Sequence, residues 1–400
     1  METTELIAAL NRGEDSRHQF KANFTNADAL AAEIVAFSNT AGGRIFIGVD
    51  DDGAVCGLAA GDVARLNQLL SNTASQNVRP PVNPLTEIVT HPDGRVMVVD
   101  IASGVSKPYM DKAGAIWVKS GADKRRATSR EEIQRIFQQG GLLHGDETLI
   151  PLMPIAQVNV VLLDQYLEKV VGETLDQQGL PIGRVLENMN LAQSGCLNLA
   201  GALLFGRHPE ARLPAFIVKA VAFPGTDIAD ETYLESRDLT GPLAEIFEQG
   251  MRFLIGNTRT LQNGRSVNSL GEPEIPRIVW EELLANALVH RDYFISAPVR
   301  VLVFADRVEI VSPGHLPNNL TIENIKAGNS NIRNPILASF AAKLLPYRGL
   351  GSGLLRALRA YPAIELIDDR SGNLFKAIVA RPGAQSPSGR EISGVGAYEQ

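Results

Sequence analysis

The sequence predicts an α+β protein with two folded parts and a middle region between them. The segment up to about Gly145 alternates helical patterns with β-hairpin patterns, which is typical of an α+β domain. The segment from Pro276 onward combines an amphipathic helix, a strand over Val299–Val311 and a glycine-rich turn before another helix. A chain of 400 residues is long enough for two or three domains, each with its own core.

Composition narrows the class of protein. Hydrophobic residues at 44% and charged residues at 21% are ordinary for a globular protein. The formal charge of −7 predicts no overall attraction to nucleic acid, so any nucleic-acid surface has to be local. Cys56 and Cys196 form no metal-binding or disulfide pattern, and no secretory signal or membrane-spanning stretch is evident. We therefore expect a cytoplasmic protein.

The elements of the first segment follow from periodicity and turn signals. Ala27–Phe37 is a helix pattern, and Arg44–Val49 is the strand after it. Thr86–His91 and Arg95–Ile101 predict a hairpin around a Pro-Asp-Gly turn. A strand over Ala115–Lys119 then leads through a basic loop into a helix near Ser129, where Ser129 and Glu132 predict a capping box.

Two phrases in this segment carry a family resemblance. They are Glu14-Asp15-Ser16-Arg17-His18-Gln19-Phe20-Lys21 and the stretch from Ala36 to Asp50, AFSNTAGGRIFIGVD. They resemble the Schlafen-type AlbA-like domain, also called AlbA_2. The resemblance implies a nucleic-acid-binding module, with DNA the first expectation and RNA the second.

Local basic residues are the candidates for phosphate contacts. The run from Lys119 to Arg130 is the clearest cluster, although a solvated loop explains a run this short about equally well. The candidate nucleic-acid-binding residues are Arg17, Lys21, Arg44, Lys124, Arg125 and Arg126.

Some Schlafen relatives cleave RNA, and the resemblance implies where a metal-dependent site would lie. Its first acidic residue corresponds to Glu14 and its third to Asp50 or Asp51. The second position is Gln19, and an amide there removes one negative charge from a metal cluster. Nuclease activity is therefore the disfavoured alternative, and Glu14 and Asp50 are more typical of solvated residues at element ends.

The middle region offers no catalytic constellation. Ile150–Pro154 is predicted as a linker, Leu199–Gly206 and Phe216–Phe223 as strands, and Pro242–Ile255 as a helix. We expect this region to support the core of the C-terminal domain.

Pro276–Pro298 predicts one amphipathic helix with an apolar face formed by Ile278, Val279, Leu283, Leu284, Leu288 and Val289. Glu282 and Asn286 lie four residues apart and so are neighbours on the helix surface. An amide oxygen can ligate Mg²⁺ while a carboxylate orients water toward a γ-phosphate. Taken alone, this pair is more typical of a surface Glu and a capping Asn, but the strand and glycine loop downstream favour nucleotide chemistry.

The C-terminal motifs carry a second resemblance. Glu282–Asn286, Ser312-Pro313-Gly314, Arg333-Asn334-Pro335 and Gly349–Gly353 resemble the divergent AAA-4 domain, which is similar to the histidine-kinase, gyrase and MutL type of ATPase (GHKL, or Bergerat, α/β sandwich). That similarity implies Glu282 as the catalytic base, Asn286 as the Mg²⁺ ligand, and Gly314, Gly349, Gly351 and Gly353 as nucleotide-binding residues. Gyrase-type sites read the adenine amino group with an Asp in a D-x-G turn, whereas this chain has Ser312 there.

These observations predict an N-terminal domain over 1–145, a middle region over 146–275, a GHKL-like ATP-binding domain over 276–382 and a disordered tail over 383–400. The expected function is an ATP- and Mg²⁺-binding, nucleic-acid-binding transcriptional regulator or helicase-related protein with weak ATPase activity. An ATP-gated nuclease and an interaction protein with a degenerate nucleotide site are the alternatives. The expected partners are nucleotide and DNA or RNA, with homo-oligomerisation open and no membrane.

Overall fold

The structure is a computed structural model that describes residues 1–261, 271–317, 320–349 and 351–382. It divides into two compact units, the first over Met1–Leu143 and the second over His144–Gln400. Helices and strands are mixed in both units, which confirms the α+β class. The predicted tail over 383–400 lies outside the described residues.

Among the described residues, the helices are α1 (Thr3–Arg12), α2 (Ala27–Asn39), α3 (Ala60–Asn72), α4 (Arg130–Gln139), α5 (Val160–Val170), α6 (Leu175–Gln178), α7 (Ile182–Asn188), α8 (Leu199–Phe205), α9 (Leu243–Asn257), α10 (Arg277–His290), α11 (Ile322–Lys326), α12 (Pro335–Leu344) and α13 (Gly353–Ala360). The strands of the first unit are β1 (His18–Lys21), β2 (Gly43–Ile47), β3 (Val78–Arg79), β4 (Leu85–His91), β5 (Gly94–Ile101), β6 (Met110–Asp111), β7 (Trp117–Ser120) and β8 (Asp123–Arg126). Those of the second unit are β9 (Leu149–Pro154), β10 (Ala192–Gln193), β11 (Cys196–Asn198), β12 (Val218–Ala222), β13 (Glu235–Leu239), β14 (Thr260–Leu261), β15 (Glu272–Pro273), β16 (Val299–Val303), β17 (Arg307–Pro313), β18 (Ile364–Asp369) and β19 (Leu374–Ala380).

A four-stranded sheet in the order β1-β2-β5-β4 forms the centre of the first unit. β1 and β2 are parallel, and the other pairs are antiparallel. Alternate residues of β2 enter different cores: Ile45 and Ile47 pack with α2, whereas Phe46 packs with Leu6 of α1. Side chains alternate across a strand, so this apolar run is buried on both faces of the sheet.

A six-stranded sheet in the order β13-β12-β16-β17-β19-β18 organises the second unit. β12 and β16 are parallel, and the remaining neighbours are antiparallel. One large core joins this sheet to α9 and α10, with Trp280 among its largest fully buried side chains. β12 comes from the predicted middle region and β16 from the predicted C-terminal domain, and the boundary proposed between those two segments stays a prediction.

Two predictions about the middle region are wrong. Leu199–Phe205 is helix α8 rather than a strand, because the side chain of Asn198 accepts a hydrogen bond from Gly201 N at 2.8 Å and caps a helix. Every residue of α8 is buried, so its sequence lacks the polar residues at helical spacing that would predict a helix. The predicted linker at 150–154 is part of β9, which pairs with β11.

The predicted basic loop of the first unit is also wrong. Lys119 and Lys124 face each other as register partners in the β7–β8 hairpin. Helix α4 does begin after Ser129, whose hydroxyl accepts a hydrogen bond from Glu132 N at 3.1 Å. The second half of the predicted capping box is replaced, because the Glu132 carboxylate binds Arg125 instead.

Candidate functional site

A pocket in the second unit brings together the predicted nucleotide residues. It is formed by α10, β17, β19, the segment around α11 and the start of α13. The predicted residues that line it are Glu282, Asn286, Gly314, Gly349, Gly351 and Gly353. Their assigned roles stay predictions, but their common location follows from the fold.

Helix α10 places two of these residues on one side of the pocket. The expectation of a single buried face is wrong, since α10 is buried nearly all round, including Glu282 with 1% of its surface exposed. Asn286 is only partly buried, and its amide has no hydrogen-bond partner among the described residues. Its oxygen is therefore available to a ligand or metal ion.

Burial changes the acidity of Glu282. Desolvation raises its pKa above the usual range, while Arg356 and Arg348 act in the opposite direction. Oε1 of Glu282 is buried and accepts no hydrogen bond within the described part of the chain. A carboxylate with a raised pKa beside an open pocket is suited to accept a proton from water.

The glycine loop reaches this carboxylate at Gly353. A Cβ atom on Gly353 would collide with Oε2 of Glu282, so the carboxylate lies directly beside the start of α13. Gly351 has a φ of +69°, and a Cβ there would lie 2.2 Å from the carbonyl oxygen of Gly328. The positive φ and the nearby backbone both require glycine at position 351 for the loop to follow this path.

The end of β17 places Ser312, which the sequence resemblance puts at the position of an adenine-reading Asp, at the pocket; that correspondence stays a prediction. Ser312 lines the pocket, and its hydroxyl donates a hydrogen bond to the carbonyl of Ala287 at 3.1 Å. Its only proton is used in that bond, so the hydroxyl faces a ligand as an acceptor. An acceptor suits an amino group such as that of adenine.

Sequence reasoning missed His290 and Tyr347, which line the pocket, and Arg356, which contacts the pocket residue Glu282 from α13. Nε2 of His290 lies 2.9 Å from Oη of Tyr347. Burial lowers the pKa of His290 to about 4 and raises that of Tyr347 to about 12, so both groups are neutral at pH 7. Arg356 contacts Glu282 and was detectable as the charged residue in the first turn after the glycine loop.

The cations predicted to bind nucleic acid are mostly paired with acids of the first unit. Nζ of Lys124 lies 2.7 Å from Glu33. The other pairs are Arg125 with Glu132 at 2.6 Å, Arg44 with Asp100 at 3.0 Å and Lys21 with Asp51 at 3.2 Å. Arg17 has no ionic partner within the described ranges, and Arg126 lies over the ring of Trp117 at 5.0 Å.

A hydrogen-bonded chain surrounds the position of the disfavoured nuclease site. Gln19 donates to Glu14 through Nε2 and accepts from Nζ of Lys119 at 2.6 Å through Oε1. Asp50 is exposed. Across the residues that the structure describes, no group of three or more His, Cys, Asp or Glu side chains is placed to hold a metal ion. The ammonium group of Lys119 therefore lies beside Gln19, the position that the sequence resemblance predicts for a second acidic residue.

Comparisons with known families agree with this architecture. Residues 14–128 match the Schlafen, AlbA_2 family. Residues 296–370 match the model HATPase_c_4, described as "Putative ATP-dependent DNA helicase recG C-terminal". The second match includes β16, β17 and the glycine loop but begins after α10. Glu282 and Asn286 lie outside the matched residues, and the fold brings them into the same pocket as the glycine loop.

Two solved structures are similar to the chain. The DIP2311 protein from Corynebacterium diphtheriae is 21% identical, with 95% of this chain and 80% of that chain covered and a TM-score of 0.44. The N-terminal domain of a "Putative ATP-dependent DNA Helicase RecG-related Protein" from Nitrosomonas europaea is 22% identical, with 32% of this chain and 96% of that chain covered and a TM-score of 0.25. No curated protein matches the sequence. None of the helices in the described ranges combines the length and apolar character needed to cross a membrane.

Proposed function

We propose that this chain, which joins a Schlafen AlbA_2 domain to an ATPase-type domain of the helicase recG C-terminal kind, is an ATP-responsive nucleic-acid-binding regulator. The observation that carries the proposal is the convergence of Glu282, Asn286 and the glycine loop in one pocket of the second unit. Transcriptional control is the biological role that we attach to this pairing of domains.

The pocket residues fit a magnesium nucleotide. The amide oxygen of Asn286, which accepts no hydrogen bond from the residues that the structure describes, is a hard oxygen donor of the kind that Mg²⁺ accepts. The start of α13 presents backbone N–H groups, and its N-cap residue Ser352 makes no side-chain capping bond. When bound, Mg²⁺ would neutralise phosphate charge, Asn286 would hold it, and Glu282 would orient the attacking water.

The same geometry suggests weak hydrolysis. The Glu282 carboxylate is engaged by Arg356 and must be released before it can accept a proton from water. We therefore propose a nucleotide-binding protein with slow turnover rather than a fast motor. The nucleotide is expected to act mainly as a signal.

We expect Mg²⁺-dependent ATP binding that requires Asn286. Asn286→Ala should weaken ATP affinity in Mg²⁺ by about tenfold or more and have little effect in EDTA, because the lost contact acts through the metal. Isothermal titration calorimetry of the full chain measures both conditions. Asn257→Ala is the matched control, since Asn257, at the end of α9, donates hydrogen bonds to Glu235 of β13 and to the carbonyl of Phe253 and does not line the pocket. Equal ATP affinity of wild type and Asn286→Ala in Mg²⁺ would contradict the assignment.

Nucleic-acid binding by the first unit should depend more on Arg17 and Arg126, which form no ion pair within the described ranges, than on the cations that are paired with acids. We expect the double variant Arg17→Ala, Arg126→Ala to flatten the log–log salt dependence of duplex DNA binding by up to about 1.8, about 0.9 for each lost phosphate contact. Lys124→Ala, Arg125→Ala should change it less, because Glu33 and Glu132 already neutralise those two side chains.

Fluorescence anisotropy with labelled duplex DNA across a salt series compares the two double variants. A larger loss from the Lys124, Arg125 pair would show that these side chains leave their acids to bind phosphate. Binding by neither wild type nor variant would point to a protein-interaction role for the unit, and a parallel series with single-stranded RNA tests the other nucleic acid.

A further inference from the structure

Glu282, which lines the pocket, contacts Arg356 of helix α13, which lies behind it. The guanidinium group of Arg356 lies in ionic contact with Oε1 of Glu282, a side chain that is 1% exposed. The contact lacks hydrogen-bond geometry: Oε1 of Glu282 and both Nε and Nη2 of Arg356 are buried without a hydrogen-bond partner in the described residues. Opposite charges meet here, yet these three polar atoms make no hydrogen bond to any residue that the structure describes.

Such a pair stabilises the protein weakly. Removing two charges from water costs several kcal/mol per ion, and attraction repays this cost only when hydrogen bonds satisfy the remaining donors and acceptors. The pair is therefore open to exchange with a ligand that offers better geometry. A phosphate group, with several strong acceptor oxygens, can form bidentate bonds with a guanidinium group.

The carboxylate of Glu282, a residue of α10, also lies beside the start of α13. The contact with Gly353 places the carboxylate beside the first turn of a helix whose N-terminus has no side-chain cap. The helix dipole and free N–H groups favour an anion at this point. A buried carboxylate of the protein thus occupies a place, between helix start and arginine, that is suited to a phosphate oxygen.

We propose that Arg356 is a binding residue for the terminal phosphate of the nucleotide and that Glu282 takes the place of that phosphate when the pocket is empty. Nucleotide binding exchanges one anionic partner of Arg356 for another and releases the Glu282 carboxylate toward water. The inference rests on the proposed nucleotide-binding function and adds an intramolecular competitor to it. No bond is made or broken in this exchange.

The competition has a consequence that a merely structural ion pair would not have. Neutralising Glu282 removes the competitor, so a nucleotide with a terminal γ-phosphate should bind more tightly. Neutralising Arg356 removes the contact for which both anions compete, so binding should weaken and the gain from changing Glu282 should vanish. The two substitutions are therefore coupled in a double-mutant cycle.

The experiment is calorimetric titration of the full chain with AMP-PNP and with ADP, both in Mg²⁺, for wild type, Glu282→Gln, Arg356→Gln and the double variant. We expect Glu282→Gln to bind AMP-PNP about tenfold more tightly than wild type, and Arg356→Gln to bind it about tenfold more weakly. ADP affinity should change little in either variant. Arg359→Gln, which alters an exposed arginine of the same helix, is the matched control and should bind as wild type does.

Unchanged or weaker AMP-PNP binding by Glu282→Gln, or an unchanged preference for AMP-PNP over ADP in Arg356→Gln, overturns the inference while leaving the proposed function in place. If wild type and all variants bind neither AMP-PNP nor ADP, both the inference and the proposed function are overturned. Thermal unfolding verifies folding of each variant, and Arg356→Lys provides a second substitution that keeps the charge but loses bidentate geometry. Arg356→Lys should keep only part of the wild-type preference for AMP-PNP over ADP. A preference equal to that of wild type would contradict bidentate binding.

Discussion

Glu282→Gln is expected to lower ATP turnover by about 10²- to 10⁴-fold while nucleotide binding is retained, which is the range that loss of a general base costs. Gln has nearly the same shape as Glu but cannot accept a proton from the attacking water. The buried position and raised pKa of Glu282 make it the best-placed base in the pocket. Release of inorganic phosphate by the full chain under saturating ATP and Mg²⁺ measures the effect.

Glu281→Gln is the matched control for this experiment. Glu281 is the adjacent residue of α10, and its carboxylate pairs with Arg277 at 2.7 Å on the same helix. It should turn over ATP at the rate of wild type. Turnover by Glu282→Gln at the wild-type rate would show that another group orients the water.

The sequence could predict the helix that carries the candidate base because its signal is local. Spacing alone places Glu282 and Asn286 side by side on α10. The glycines around 349–353 predict a tight loop before a helix. Those features depend on a few neighbouring residues and on backbone preferences. They are the part of the site that needs no tertiary information.

The sequence could not predict which groups oppose the candidate base. Arg356 meets Glu282 only because α10 and α13 pack together. Tyr347 meets His290 because the segment between α12 and α13 lies beside the end of α10. The ion pairs of the first unit were unpredictable for the same reason, because they depend on tertiary packing. Lys124 is part of a basic run in the sequence, but the fold places its amine 2.7 Å from Glu33 of α2. Charge along a chain therefore does not define charge on a surface.

The misassigned elements have a related cause. Helix α8 and strand β9 are short, and α8 is wholly buried, so neither shows the alternation of polar and apolar residues that distinguishes the two periods. α8 is fixed by a single capping contact from Asn198 and β9 by pairing with β11. Tertiary context decides such segments, and both support the core on which the pocket-forming sheet rests.

The stability of the folded protein is expected to depend on pH through His290. Burial, with a smaller contribution from the nearby positive charge of Arg333, lowers the pKa of this imidazole to about 4 in the folded protein, against 6.5 for an unperturbed histidine. The folded state therefore disfavours the protonated ring. Between pH 6.5 and about 4 the unfolded chain binds more protons at this position, so stability falls as pH falls through that window.

The difference in pKa corresponds to a loss of about 3 kcal/mol in the free energy of unfolding once the pH reaches 4. His290→Gln keeps a group able to hydrogen-bond with Tyr347 but removes the titration, so we expect a shallower fall in stability than in wild type. Urea unfolding of both proteins at several pH values between 4 and 7 measures the difference. His208→Gln, which replaces an exposed histidine, should follow the wild-type curve. Parallel curves for wild type and His290→Gln would show that His290 titrates alike in both states, and the neutral His290–Tyr347 contact beside the pocket would then have to be abandoned.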